Sequence, residues 1–480
     1  MTMPRVRCRV LLGAAMLLLS GCVMGPNYRR RDTTPVPAAW RDTSSALRDS
    51  SLANLPWWSV LGDTTLQGLV RTALQENRDL HIAVARVNEA RAQLGIQRLE
   101  RYPQIDVEAG VVRSSGADSL LSGVGAGRRA FLGTGLSWEL DLWGRMRRLN
   151  ESALALLLAT EQARRGVILS VVSEVARAYL ELRDLDAQVA IAGQQIDIRR
   201  QSLTLARARF RGGLTSELDV RQGENAHALA EGTQERALRE RRQKENELSV
   251  LVGRPPANMP RGLPLADQPF PDSIPAGLPS DLLTRRPDVR RAEEEVRAAN
   301  ARIGAAIAAL FPTISLTGLG GTVSDQLTSL FERGSKYWRI GADAVQPVLD
   351  HRRSKFHVDA ERARTEAAVG EYERTVLTAF REVEDGLVAV RRLHAEVAAA
   401  ARAATAARQA VRLAALRYEG GVDSYLSLLD AQRAQLDAEL RESELRREHR
   451  VSVVQLYKAL GGGWDPVTDS LAMPRPAVRR

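Results

Sequence analysis

The chain has 480 residues, a formal charge of +10 and two cysteines. One of them, Cys8, lies in an export signal, so a disulfide framework is excluded, and no later window offers 18 consecutive apolar residues for a transmembrane helix. The arginines that make the chain basic are mixed with glutamates along helix-forming segments, so nucleic-acid binding is not expected.

The N-terminus reads as an export signal that ends in a lipidation site. Arg5, Arg7 and Arg9 precede a short apolar run, and Leu19-Ser20-Gly21-Cys22 follows. These last residues resemble a bacterial lipobox, in which Cys22 receives acyl chains such as palmitate and becomes the mature N-terminus. The alternative is an ordinary signal peptide with a chance cysteine. We expect a signal over residues 1–21 and a lipid-anchored extension over 22–62, with a mature charge of +7.

The mature sequence is duplicated at an offset of about 209 residues. Ala92-Gln93-Leu94-Gly95 returns as Ala301-Arg302-Ile303-Gly304, and Leu140-Asp141 returns as Leu349-Asp350. An internal repeat of this length predicts two equivalent halves. The expected organisation is listed in chain order: a first repeat over 63–253, a proline-rich linker over 254–278, a second repeat over 279–463 and a tail over 464–480.

In the first repeat, the apolar period changes twice. A helical pattern runs from about residue 63 to 101 and stops at Tyr102-Pro103. Strict alternation then predicts a β-hairpin over 104–143. A helix free of proline follows from Arg145 to Phe210, roughly 100 Å long at 1.5 Å per residue. Gly212-Gly213 ends it, and a further helix runs from 214 to 251.

The second repeat follows the same plan. We expect a helix from about Pro279 to Leu310 and a hairpin over 312–350 with a loop across 321–336. A second long helix then runs to Tyr418, turns at Gly420-Gly421 and is followed by a last helix to Leu460.

Four strands of about ten residues are long enough to cross a bilayer at a tilt, but four cannot close a barrel. Open strand edges are not tolerated in lipid. The fold expected is therefore mostly α with membrane β: long antiparallel coiled-coil helices and four strands per protomer, which form a 12-stranded barrel in a homotrimer. Asp106, Glu108, Glu139, Asp141 and Asp343 are expected on the face that meets water.

The combination resembles the TolC/OprM family of outer-membrane efflux channels, and in particular its NodT-like lipoprotein branch. The resemblance rests on Trp57-Trp58, Ala73-Leu74, Asn77, Asp79-Leu80, the doubled helix–hairpin–helix plan, both Gly-Gly tips and Gly25-Pro26-Asn27-Tyr28. It implies an outer-membrane channel-tunnel that passively conducts exported compounds. It also implies the partners: outer-membrane lipids, a periplasmic adaptor (membrane fusion) protein and an inner-membrane efflux pump, expected to be of the RND type.

The same resemblance assigns residues to a periplasmic gate. Asp430 corresponds to a carboxylate ring around the pore axis, and Asp219 and Tyr418 correspond to positions that hold the tip shut. Asp423 stands where some members have an arginine, and Ser427 replaces a second aspartate. Ordinary solvated helix charges are the alternative. The expected adaptor-contact tips are Arg211, Gly212, Gly213, Glu419, Gly420 and Gly421.

No catalytic motif, metal-ligand spacing or cofactor fingerprint is present in the sequence, so we expect no enzyme, no metal and no cofactor. Two other functions remain open: a periplasmic coiled-coil spacer lipoprotein without a pore, and an autonomous porin. The hairpins argue against a spacer, and the long helices argue against a simple porin.

Overall fold

A computed structural model of the chain describes residues 23–30, 35–41, 51–114, 127–269, 275–346, 348 and 350–462. The expected signal peptide, the lipidation site Cys22 and the tail over 464–480 lie outside these residues.

Each half of the chain contains helices around one β-hairpin. In the first half the elements are α1 (Trp57–Val60), α2 (Thr64–Glu76), α3 (Arg78–Leu99), β1 (Gln104–Ser114), β2 (Gly127–Leu140), α4 (Arg145–Arg211) and α5 (Glu217–Leu251). In the second half they are α6 (Leu282–Arg285), α7 (Pro287–Ala308), β3 (Thr313–Ser324), β4 (Lys336–Val345), α8 (His351–Glu419) and α9 (Tyr425–Ala459). None of the described helices is both long and apolar enough to cross a membrane.

The two hairpins join into one antiparallel sheet in the order β1-β2-β3-β4, so β1 and β4 form its edges. The register pairs Asp106 with Gly135 and Ser315 with Asp343, which places the acidic strand residues on one face. The other face carries apolar side chains that are exposed; Ile340, for example, is 80% exposed. Strand β3 continues to Ser324, so the loop after it is shorter than the sequence predicted.

Asp141 does not belong to the acidic face of the sheet, contrary to expectation. It follows the end of β2 and accepts hydrogen bonds from the backbone N–H groups of Met146 and Arg147 at 2.9 and 3.0 Å. It therefore satisfies free donors at the start of α4. Glu139 stays within β2 but pairs with Arg145 at 2.6 Å, so its charge is compensated.

The first helix of each repeat is interrupted at equivalent positions, where the sequence predicted a continuous helix. Asn77 has an extended backbone between α2 and α3, and its Oδ1 accepts from the N–H groups of Asp79 and Leu80. Arg286, 209 residues later, is extended for another reason: it precedes Pro287. Both side chains then bond the end of the last helix of their own repeat, Asn77 to the Leu251 carbonyl and Arg286 to that of Ala459.

The chain divides into two compact units, each with its own contacts. The first unit contains the sheet, the adjoining helix segments and residues 23–30. Here Met24 donates its N–H to the Trp143 carbonyl at 3.1 Å, and Arg148 donates to the carbonyls of Met24 and Gly25. Gly25 has a φ of +88°, and a Cβ added to it would lie only 2.4 Å from the Cα of Gly304. The N-terminal segment thus bonds to the first repeat and packs against the second, next to the predicted lipidation site.

The second unit contains the remaining helix segments and the linker, which are held together at Asp63. This carboxylate is 1% exposed and caps α2 by accepting from the Thr65 and Leu66 N–H groups. Its Oδ2 also accepts from Gln268 at 2.7 Å, from the Tyr179 hydroxyl at 2.8 Å and from the Leu263 N–H at 3.0 Å. Burial raises the pKa of Asp63, but these hydrogen bonds outweigh it and leave the pKa below its ordinary value.

Candidate functional site at the helix tips

Both long helices end in the same glycine turn. Gly213 and Gly421 have φ values of +69° and +74°, a left-handed conformation that only glycine adopts without strain. After each glycine, the next N–H reaches back to a helix carbonyl, Leu214 to Arg209 and Val422 to Arg417, both at 2.9 Å. This is the Schellman pattern, and it turns the chain directly into the following helix.

Arg209 connects the two tips. Its Nη1 donates to the carbonyls of Tyr418 and Glu419 at 2.8 and 3.1 Å, at the C-terminal end of α8. Its guanidinium also lies 4.9 Å from the centre of the Tyr418 ring. A cation at a helix C-terminus is stabilised by the free carbonyls and the helix dipole. Arg209 therefore fixes the end of α8 against the end of α4.

Arg417 occupies the position of Arg209 in the second repeat but makes a different contact. Its Nε and Nη2 donate to the two carboxylate oxygens of Asp423 at 2.6 and 3.3 Å. The hydrogen bond from Arg417 holds the pKa of Asp423 below its ordinary value. The predicted gate residue Asp423 thus forms a bidentate pair within its own turn.

Tyr418, one of the predicted gate residues, is buried in the tip. It is 2% exposed and its ring centre lies 5.1 Å from that of Tyr425, which is 1% exposed. Burial and the nearby Asp219 carboxylate raise the pKa of Tyr418, while Arg209 and Thr215 oppose them. Asp219 itself accepts a hydrogen bond from the Thr215 hydroxyl. The structure thus brings Asp219 and Tyr418 into one cluster.

Asp430 lies apart from this cluster. It is exposed on α9, while Leu428 and Gln432, two residues to either side, are buried. On a helix, positions two residues apart point to nearly opposite sides. Asp430 therefore faces away from the interior of its own bundle and lies on the outer surface of that bundle.

Exposed apolar residues follow both glycine pairs. Leu214 is 71% exposed and Val422, its equivalent 208 residues later, is 67% exposed. Leu218 and Leu426, a second equivalent pair, are 61% and 53% exposed. Arg211, Gly212, Glu419, Gly420 and both left-handed glycines are exposed beside them. Each tip thus presents the same small apolar surface next to its turn.

Within the described residues, no group of three or more His, Cys, Asp or Glu side chains is placed to hold a metal ion. Sequence reasoning missed Arg209, Arg417 and Tyr425, which surround the predicted gate residues. The duplication offered a signal for two of them, because Arg209 and Arg417 are the same position in the two repeats.

Comparison with known proteins gives a consistent result. The family model for outer membrane efflux protein matches residues 69–254 and 278–462. Outer membrane protein OprJ of Pseudomonas aeruginosa is 36% identical, with 94% of each chain covered. The solvent efflux pump outer membrane protein SrpC of Pseudomonas putida is 37% identical, with 94% of this chain and 97% of SrpC covered.

Among solved structures, the Neisseria gonorrhoeae MtrE outer membrane channel in its open state superimposes with a TM-score of 0.82. It is 33% identical and covers 92% of this chain, and 98% of MtrE is covered in turn. The chain therefore belongs to the outer membrane efflux protein family, has its TolC-like fold and is an outer-membrane component of an efflux system.

Proposed function

We propose that three copies of this chain form a passive conduit that extends from the outer membrane into the periplasm and conducts exported compounds to the cell exterior. The observation that carries this proposal is the sheet. Its apolar face is exposed and its outer strands β1 and β4 are edges, so it suits lipid contact and pairing with further copies. Three copies supply 12 strands, an even number that leaves a lumen when closed.

The tips are proposed as the adaptor-contact and gate region. Leu214, Leu218, Val422 and Leu426 give each tip an apolar surface of the kind that marks a protein-binding site. The expected partners are a periplasmic adaptor and an inner-membrane pump of the RND type. Asp219, Tyr418 and Asp423 would hold the tip together, and Asp430 would line its opening. No step of this role requires catalysis or a cofactor.

The lipid anchor is part of the same proposal. Val23 packs against Gly144, where an added Cβ would lie 3.0 Å from the Val23 Cα. Acyl chains on the preceding Cys22 would therefore enter the membrane near the end of β2.

Deletion of the gene in its host tests the function. We expect higher intracellular accumulation of several pump substrates and lower resistance to them, both restored by the wild-type gene on a plasmid. The purified protein should also conduct ions in planar bilayers. A spacer lipoprotein would give no conductance. An autonomous porin would conduct, but its deletion would slow nutrient uptake and leave resistance unchanged.

A further inference from the structure

The acidic face of the sheet contains a depression lined by all four strands. Its volume is about 420 Å³, and small-molecule sites typically have volumes of about 300–1,000 Å³. Residues paired across an antiparallel sheet share one face, so the depression is crossed by rows of paired residues. One of these rows is Glu108, Gly133, Gly321 and Tyr337. The depression is therefore large enough for an organic molecule.

Two aromatic rings lie along this face because glycines leave room for them. A Cβ added to Gly133 on β2 would lie 2.7 Å from the hydroxyl oxygen of Tyr337, so the Tyr337 side chain extends from β4 across β3. A Cβ added to Gly110 would lie 2.8 Å from the ring of Phe131. Tyr337 is 38% exposed, so its ring is accessible from the solvent. The two rings therefore add aromatic surface to an otherwise polar face.

The charged residues of the depression lie at its two edges. Asp106 and Glu108 are exposed on β1, and Arg339 is exposed on β4. The row that joins the edges is Asp106, Gly135, Leu319 and Arg339. Three strand spacings of about 4.8 Å place the backbones of Asp106 and Arg339 roughly 14 Å apart. Two carboxylates and one guanidinium give the lining a net charge of −1, with the acidic edge separated from the basic one.

We propose that this depression binds amphipathic aromatic cations, a class of compound that the channel then conducts. The inference rests on the proposed conduit, in which the acidic face of the sheet lines the lumen. The carboxylates of Asp106 and Glu108 attract the positive charge, and the ring of Tyr337 adds a cation–π interaction. Phe131 and Leu319 contact the apolar part of the compound. An organic anion of the same shape meets two carboxylates and is repelled.

Equilibrium dialysis of the full-length protein tests the site directly, with the same detergent concentration on both sides of the dialysis membrane. The probe is tetraphenylphosphonium, and tetraphenylborate is a control of the same shape and opposite charge. We expect the cation to bind about tenfold more tightly than the anion. Equal binding of the two ions, or tighter binding of the anion, overturns the proposal.

Variants of the charged residues test which groups bind the probe. Asp106→Asn/Glu108→Gln should weaken binding of the cation about fivefold, because two exposed carboxylates are lost. The matched control is Glu332→Gln/Asp343→Asn, which changes one glutamate and one aspartate that are exposed outside the depression, and it should alter binding by less than about twofold. Arg339→Gln should instead tighten binding about threefold, since a nearby positive charge is removed. A misfolded protein would not gain affinity in this way. Unchanged binding in Asp106→Asn/Glu108→Gln, or an equal loss in the control, overturns the proposal.

Planar-bilayer recordings separate this site from the proposed conduit. Tetraphenylphosphonium should reduce the single-channel conductance of the wild type, and it should reduce that of Asp106→Asn/Glu108→Gln less. A conducting channel on which the cation has no effect overturns the site and leaves the conduit intact. A protein that does not conduct contradicts the conduit, and the dialysis result then decides whether the site exists.

Discussion

At the residue scale, two equivalent arginines make different contacts in the two repeats. Arg209 and Arg417 both lie four residues before the second glycine of their turn. Arg209 bonds carbonyls of the other tip, whereas Arg417 bonds Asp423 in its own turn. The difference comes from the residue two positions after the second glycine of each turn, which is Asp423 in the second repeat and Thr215 in the first. Thr215 has no carboxylate that could pair with Arg209, so the Arg209 guanidinium reaches the end of α8 instead.

Arg209→Gln is expected to loosen the tip, because a charged donor to two carbonyls at the end of α8 is lost. The measurement is single-channel conductance of the purified protein in planar bilayers, where we expect a higher mean conductance and more frequent openings. Arg211→Gln removes an exposed arginine two residues away and serves as the control. Equal conductance in both variants would contradict a latch at Arg209.

Asp430→Ala is expected to reduce the preference of the channel for cations. In the proposed trimer, three copies of this exposed carboxylate around one axis would attract cations to the opening. The reversal potential in a salt gradient measures this preference. Asp197→Ala is the charge-matched control, since Asp197 is exposed on α4 and paired with Arg200 about four helical turns from the glycine pair. An unchanged reversal potential in Asp430→Ala would place the selectivity elsewhere.

At the element scale, side chains at helix ends connect distant parts of the second unit. Asn77 caps α3 and bonds the end of α5, and Arg286 bonds the end of α9. Asp63 caps α2 and fixes the linker through Leu263 and Gln268. Each side chain satisfies backbone groups that a helix cannot pair internally.

Asp63→Ala should lower the free energy of unfolding by about 2 kcal/mol or more, because the helix cap and several hydrogen bonds to a buried charge are lost together. Urea denaturation at fixed protein and detergent concentration measures the change. Asp79→Ala provides the comparison, since Asp79 is an exposed residue in the first turn of α3, and it should change stability by less than about 0.5 kcal/mol.

The stabilisation by Asp63 should depend on pH in a defined direction. Its pKa is lowered in the folded protein, so the carboxylate contributes stability above the ordinary aspartate pKa of about 3.9 and loses it as the pH falls through the folded value. The stability difference between wild type and Asp63→Asn is expected to be constant above about pH 5 and to shrink below about pH 4. A difference that grows toward acid would contradict this sign.

At the scale of the whole molecule, the sheet is the element that a single copy leaves incomplete. Its apolar face is exposed and both edge strands are available for pairing. Native mass spectrometry of the detergent-solubilised protein should therefore show three copies, with circular dichroism that includes a β contribution. A monomer in every detergent tested would contradict the proposed trimer.

The fold and the candidate site differed in how far the sequence could predict them. Alternating residues identified both hairpins, and the glycine pairs identified both tips, because these signals are local. The break at Asn77 was missed because no proline marks it and the helical pattern continues beyond it, although the cap that Asn77 makes on Asp79 and Leu80 is local. Asp141 was placed on the water-facing side of the sheet by alternation alone, although it caps α4.

The sequence by itself determined the duplication, the order of helices and strands and the resemblance to the family, since periodicity and turn chemistry act between neighbouring residues. Only the tertiary structure showed the Arg209 contact with Glu419, which joins residues 210 positions apart, and the Asn77 contact with the Leu251 carbonyl. Such contacts depend on which faces of distant helices meet. That is decided by packing, to which the local pattern contributes only an apolar stripe.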